Sequence, residues 1–316
     1  MGTVIEVRGA RFLIRTATAE GKVKNLLAKT YRNTFSENPD STLVAVGDRV
    51  GFKRMSNESE GDMRIGEGLI TFVELRRTKL SRTSGTSTES EQVEHIIASN
   101  VDQVIAVASA TNPLLKRRLI DRYIVTAELQ SLPVVIVVNK IDLVEAAEVV
   151  ELMRPYGVLG YTVLFISAED LTGLDDLREV FMGKTSVLSG HSGVGKSTIV
   201  NRLLGSEVMP VGEVSLKTLK GSHTTSNAAM LELPLGGGVP SYLIDTPGIR
   251  ELGLWNITAE NLSRGFIEFK AFESQCEYIA CTHVDEPNCA VINAAERGEI
   301  DTERYESYLA IRSSLE

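Results

Sequence analysis

Over residues 1 to 78 the apolar positions come in short runs separated by glycines and polar residues. The runs are 3 to 7, 11 to 16, 43 to 46, 50 to 53 and 68 to 74. Several short β-prone stretches joined by turns predict a small barrel, and the pattern alone does not separate an OB-type barrel from an SH3-like one. Phe12, Tyr31, Phe35, Phe52 and Phe72 are scattered through it and form no aromatic platform. Residues 78 to 94 lose the periodicity and fill with Ser, Thr, Gly and Glu, the composition of a linker. From Val101 the rhythm changes. β-prone runs at 101 to 108, 133 to 138, 162 to 166 and 185 to 189 alternate with helical spacing, clearest over 115 to 129. That alternation predicts a mostly parallel sheet with helices on both faces. Residues 226 to 233 and 241 to 244, separated by glycines, predict a hairpin. Beyond Trp255, residues 258 to 272 read as a helix capped by Thr258, and 290 to 315 as two more.

The most informative polar stretch lies between a β-prone run and a helix-like run. It reads Gly190-His191-Ser192-Gly193-Val194-Gly195-Lys196-Ser197-Thr198. Strand, glycine-rich loop and helix is the context of a phosphate-binding loop. Gly190 and Gly195 let the backbone aim its N–H groups at one point, where the helix N-terminus adds partial positive charge. Lys196 is placed to neutralise the β- and γ-phosphates, and Ser197 to ligate Mg²⁺. His191 points outward, because such a loop works through its backbone.

The base reader is sought elsewhere. Asn139-Lys140-Ile141-Asp142 follows the apolar run ending at Val138. Asp142 can accept two hydrogen bonds from guanine, and adenine lacks the matching donors. Asn139 is placed to hold the loop and reach the purine N7, and the Lys140 stem to lie along the base. The motif alone reads equally well as a helix cap. Ser167-Ala168 follows the next strand, with the Ala168 N–H directed at guanine O6. Downstream, Asp245-Thr246-Pro247-Gly248 ends another strand, with Asp245 in the Mg²⁺ shell and the Gly248 N–H on the γ-phosphate. His223-Thr224-Thr225 sits in a polar loop suited to a switch, with Thr224 or Thr225 as a further Mg²⁺ ligand. Every part lies at the carboxyl end of a strand or in a loop, where ligands bind in open α/β sheets. The order, base readers then phosphate loop then switches, is that of a circularly permuted GTPase. Moving the termini leaves the sheet intact.

A second constellation closes the chain. Cys276, Cys281, His283 and Cys289 supply three thiolates and one imidazole at close spacing, a complete tetrahedral shell for one structural Zn²⁺. The bland alternative is a few buried free cysteines.

These residues together resemble the circularly permuted, ribosome small-subunit-dependent GTPases of the RsgA/YjeQ type. The resemblance extends to Val46-Gly47-Asp48-Arg49-Val50, Ala98-Ser99-Asn100-Val101-Asp102 and Ile120-Asp121-Arg122-Tyr123. It implies an α/β fold with four parts: an OB-type β-barrel over 1–78, a linker over 79–96, a circularly permuted P-loop GTPase domain over 97–255 and a helical zinc-binding domain over 256–316. It implies GTP hydrolysis with GTP/GDP and Mg²⁺, a late role in maturing the small ribosomal subunit, and binding to that subunit and its rRNA in the GTP state. The competing class is a GTP-gated RNA- or protein-binding module whose hydrolysis is incidental. Many GTPases place a Gln after Asp-x-x-Gly to orient water; here Ile249 stands there, so His223 becomes the catalytic candidate beside Lys196. Some relatives carry Asn at the place of Gly193 and bind K⁺ with it; the departure removes that expectation. Residues 249 to 256, with the lone Trp255, are a short tether through which nucleotide state could pull on the zinc domain.

Composition narrows the partners. The chain has 316 residues, 43% of them hydrophobic, and a formal charge of −9. That charge argues against indiscriminate nucleic-acid binding and leaves docking through local basic patches. Arg76-Arg77-Thr78-Lys79-Leu80-Ser81-Arg82 and Lys116-Arg117-Arg118 are such patches, or else solvated surface. All three cysteines fall in the metal motif, so no disulfide framework exists and a reducing cytoplasm fits. No apolar run approaches membrane length, and a monomer without membrane attachment is expected.

Overall fold

A computed structural model describes residues 1–17, 23–38, 41–55, 66–82, 94–205, 229–236, 238–245 and 257–315. The expected switch residues His223, Thr224, Thr225 and Gly248, and the tether with Trp255, lie outside them; of Asp245 only the backbone is described. In chain order the strands and helices begin with β1 (Gly2–Arg8), β2 (Arg11–Ala17), β3 (Val23–Ser36), β4 (Arg49–Arg54), β5 (Gly66–Val73), β6 (Lys79–Arg82) and β7 (His95–Ser99). Then come β8 (Gln103–Ser109), α1 (Arg117–Glu128), β9 (Val134–Asn139), α2 (Ala146–Val158), β10 (Thr162–Phe165), α3 (Leu174–Phe181), β11 (Thr185–Ser189) and α4 (Lys196–Leu204). The last are β12 (Ala229–Leu233), β13 (Ser241–Asp245), α5 (Ala290–Glu296) and α6 (Thr302–Ser313).

The chain divides into two compact units. The first contains Met1–Asp102, Phe181–Val187 and the described part of 215–248. Its β1 pairs with β2, β2 with β3, β3 in parallel with β5, β5 with β4, and β4 back onto β1. This closed 1-2-3-5-4 order is the OB topology, and closure leaves those strands no free edge. Val4, Phe12, Ile14, Leu26, Val50, Ile70 and Val73 fill the interior. The long β3 is invisible to a period-2 search because polar residues interrupt it at Lys24, Asn25 and Lys29. Gly47 is required: at φ +92° a Cβ there would lie 2.0 Å from the Ser99 carbonyl oxygen. The neighbouring Asp48 is fully buried, accepting from the Ala45 N–H at 2.7 Å and from two nitrogens of Arg76, both at 2.8 Å. Arg76 is therefore an interior partner and no part of a basic surface. Lys79–Arg82, inside the stretch read as linker, is strand β6 and pairs antiparallel with β7. β12 and β13 form the expected hairpin, and β11 runs parallel to β13.

The second unit holds Gln103–Val180, the described part of 188–214 and residues 257–315. β8, β9 and β10 are parallel neighbours, with Ser109 opposite Asn139 at their carboxyl ends. β9 is buried at every position, as a strand apolar from Val134 to Val138 and covered on both faces must be, and its terminal Asn139 is buried with it. α1 packs against β8 and β9 and also against α6. Residues 258 to 272 are not one helix. They form 3₁₀ segments at Leu262–Gly265 and Ile267–Ala271, because the chain breaks at Phe266, at φ −102° and ψ 89°. Leu262, Phe266 and Phe269 keep helical spacing across that break and enter one core with Val125 of α1, Val291, Tyr308 and Ile311.

Candidate nucleotide-binding site and zinc centre

β11 ends at Ser189 and α4 begins at Lys196, so the glycine-rich loop spans strand to helix as its sequence demands. Gly190 is pressed against β8: a Cβ there would sit 2.4 Å from the Val107 carbonyl oxygen. Gly195 has φ +96°, and its Cβ would meet the Asn139 side-chain nitrogen at 2.2 Å. Lys196 is buried, and its Nζ donates to the carbonyls of Gly190 and His191, the latter at 2.8 Å. Ser197 is buried beside it, and Thr198 follows on α4. His191 and Ser192 are exposed, whereas Val194 is buried.

Asn139, the last residue of β9, is 2% exposed and joins two motifs. Its Nδ2 donates to the Val194 carbonyl at 2.9 Å, and its Oδ1 accepts the Ala168 N–H at 3.0 Å. The amide expected to face guanine O6 is thus held by Asn139, an N–H that a second acceptor can share. Lys140 adopts the left-handed conformation at φ 65°, and its Nζ donates to the Gly193 carbonyl at 2.7 Å and to the Asn112 carbonyl. Asp142 lies on a 3₁₀ turn, exposed, with no partner for its carboxylate among the described residues. Ser167 is buried, and its Oγ accepts the N–H groups of Glu169 and Asp170 at 3.3 and 3.2 Å, which turns the loop after β10. Two contacts had no signal in the sequence: the Asn112 carbonyl on Lys140, and Arg202 of α4, whose Nε donates to the Ala168 carbonyl at 2.9 Å. The phosphate loop, Asn139–Asp142 and Ser167–Ala168, separate in sequence, are therefore bonded into one site.

The four metal-motif residues also converge. Their donor atoms lie within 4.8 Å of one another. Cys276 Sγ is 3.7 Å from His283 Nδ1 and 3.8 Å from Cys289 Sγ, and His283 Nδ1 is 3.4 Å from Cys289 Sγ. A tetrahedron with Zn–S bonds of about 2.3 Å and Zn–N of about 2.1 Å has edges of roughly 3.5 to 3.8 Å, so the donor set fits Zn²⁺. Burial and the neighbouring sulfurs push the Cys281 thiol up to about 12. Glu286 shapes the turn, accepting the N–H groups of Thr282 and of Val284 (3.0 Å). Burial opposes its charge, but those bonds outweigh burial and hold it down at about 2.

The C-terminal module that carries the cysteine–histidine cluster is locked to α1 by buried charge. Arg304 of α6 is fully buried, with Nη1 2.8 Å from Asp121 of α1 and Nε and Nη2 2.6 and 2.9 Å from Glu268. Tyr156 donates to Asp121 at 2.7 Å, and Arg117 pairs with Asp301 and, at 3.2 Å, with Glu303. Asp301 also caps α6 by accepting the Arg304 N–H at 3.0 Å. Arg117, like Arg76, is thereby removed from the expected basic patches.

Comparison with known proteins finds relatives along the whole chain. A family profile described as RsgA GTPase matches residues 73–255. The small ribosomal subunit biogenesis GTPase RsgA of Chlorobaculum parvum is 46% identical over 316 residues, covering 100% of this chain and 98% of that protein. The protein of the same name from Chlorobaculum tepidum is 45% identical, covering 99% and 97%. The crystal structure of YjeQ from Thermotoga maritima superposes with TM-score 0.73 at 30% identity, covering 99% of this chain and 97% of that one. YloQ, described as a circularly permuted GTPase, superposes with TM-score 0.71 at 24% identity over 99% and 94%, a likeness of fold.

Proposed function

The chain belongs to the RsgA GTPase family, and from that premise we propose that it hydrolyses GTP during late maturation of the small ribosomal subunit, docked on that subunit and its rRNA in the GTP state and released after hydrolysis. One observation carries the nucleotide reading: Asn139 is bonded at once to the phosphate loop and to Ala168, so base and phosphate recognition share one scaffold. In this reading Asp142 binds the guanine N1–H and amino group and Ala168 meets O6. The 190–195 backbone and Lys196 cradle the phosphates. Ser197, Thr225 (or Thr224) and Asp245 hold Mg²⁺, which when bound supplies charge neutralisation of the β- and γ-phosphates. Gly248 senses the γ-phosphate. A water attacks the γ-phosphorus, the bond to the bridging oxygen breaks, and GDP and phosphate leave. His223 orients that water, since Ile249 cannot.

Cys276, Cys281, His283 and Cys289 hold one Zn²⁺; all four positions are protein, so the metal is structural. Thiols kept for zinc need a reducing compartment, which supports the cytoplasm. No helix among the described residues is long and apolar enough to cross a membrane. The proposed working form is a monomer.

Turnover measured alone, with purified small subunits, with large subunits and with unrelated RNA tests the reading. Stimulation by small subunits alone is expected, with loss of nucleotide binding in Lys196→Ala and a lower stimulated rate at unchanged GDP affinity in His223→Ala. Equal rates in all four mixtures would leave a GTP-gated binding module with incidental hydrolysis.

A further inference from the structure

Ala168 is held from both sides, and the second hand belongs to a residue that no nucleotide-binding motif contains. Its N–H, in the peptide joining it to Ser167, donates to Asn139 Oδ1 at 3.0 Å. Its carbonyl, in the next peptide, accepts from Arg202 Nε at 2.9 Å. Fixing the two successive peptide planes fixes the residue between them, because only its φ and ψ separate the planes. Ala168 itself is 2% exposed, so its small side chain adds a packed third restraint. Arg202 lies in the last turn of α4, the helix whose first residue is Lys196. One rigid helix therefore carries the phosphate lysine at its start and grips the base-reading peptide near its end.

We infer that Arg202 is a positioning residue for guanine recognition: it sets where the Ala168 N–H stands against O6 of the purine. The inference rests on the guanine reading of the site given above. Arg202 has the chemistry for the task. A guanidinium is charged at every physiological pH, donates from fixed planar directions and pays little desolvation on an exposed helix face. Its contact with Ala168 is through Nε, so the position of the peptide is tied to the helix by the short, least mobile end of the guanidinium group. Asp142, on the turn after β9, makes no bond to Arg202 among the described residues and reads a different edge of the base in the proposed site. Loss of Arg202 should therefore disturb the O6 contact selectively.

Analogues separate the two contacts. Affinities of the protein would be measured for GDP, for the diphosphate of 2-aminopurine riboside, which lacks O6 and the N1–H, for IDP, which lacks only the 2-amino group, and for ADP. The missing N1–H is common to wild type and variant and cancels in the change of preference. In the wild type, GDP should bind more tightly than all three. In Arg202→Met, which keeps the aliphatic stem, the preference for GDP over the 2-aminopurine nucleotide should fall about five- to tenfold, the scale of one lost hydrogen bond. The preference for GDP over IDP should stay within about twofold. Arg202→Lys, which still offers a donor, should recover much of the loss. A uniform drop for every nucleotide, or an unchanged set of preferences at an unchanged melting temperature, would overturn the inference. Wild-type protein that binds ADP as well as GDP would instead overturn the guanine reading, and the inference with it.

Discussion

Gly195 and Asn139 are read in sequence as members of two motifs, and in space each exists for the other. A Cβ at Gly195 would stand 2.2 Å from the Asn139 amide nitrogen, so the glycine makes room for the side chain that ties the loops together. At this scale the chemistry of Asp142 is the sharpest lever: Asp142→Asn exchanges an acceptor for a donor, and binding should pass from GTP to XTP, read by competition between the two nucleotides. Glu286 offers a second. Its carboxylate orders the N–H groups on either side of His283, so Glu286→Gln should weaken zinc retention by about tenfold, measured against a chromogenic chelator. The convergence of Cys276, Cys281, His283 and Cys289 was legible because cysteine and histidine at close spacing have few other uses. Glu286 was not, because a glutamate in a turn reads as solvated charge. Arg202 was hidden for the same reason: an arginine on the outer face of a helix is ordinary until the strand loop it touches is known.

Among the elements, α1 shows what periodicity reveals and what it conceals. Apolar spacing located the helix, and the structure shortens it only to Arg117–Glu128. The spacing gave no sign that Arg117 and Asp121 are buried, since their partners Asp301 and Arg304 stand 184 and 183 residues away. Residues 258 to 272 failed in the opposite way. Leu262, Phe266 and Phe269 mimic a helical face, but the face is assembled from two 3₁₀ segments. Gly265 lets the first of these lie against α1: a Cβ there would be 2.7 Å from Val125 Cγ1 and 3.1 Å from Val125 Cα. Gly265→Ala should therefore push the segment off the helix and cost about 1–3 kcal/mol, seen as a lower urea midpoint. A midpoint unchanged from wild type would mean that the backbone there gives way freely.

For the molecule as a whole, chain order carried most of the fold. Base readers before phosphate loop before switches specified the permuted α/β arrangement, and turn-bounded short strands specified a barrel. The OB order is not written locally, because β3 lacks alternation and its parallel pairing with β5 has no local signal. Nor is the attachment of the C-terminal module that carries the cysteines. Arg304→Met leaves Asp121 and Glu268 buried without a cation and should cost about 3–5 kcal/mol in unfolding free energy. Replacing all three together by apolar residues should recover most of that loss in the same titration. The cluster also bears on how such a sequence can change through descent. Asp121 sits on one stretch of chain, and Glu268 and Arg304 on another, far downstream. A lineage that alters one of them passes through a protein with a stranded interior charge, so the three should be inherited or replaced as a set. A C-terminal segment borrowed from a relative with a different set would arrive without its counter-charge, which makes this stretch a poor cassette for recombination.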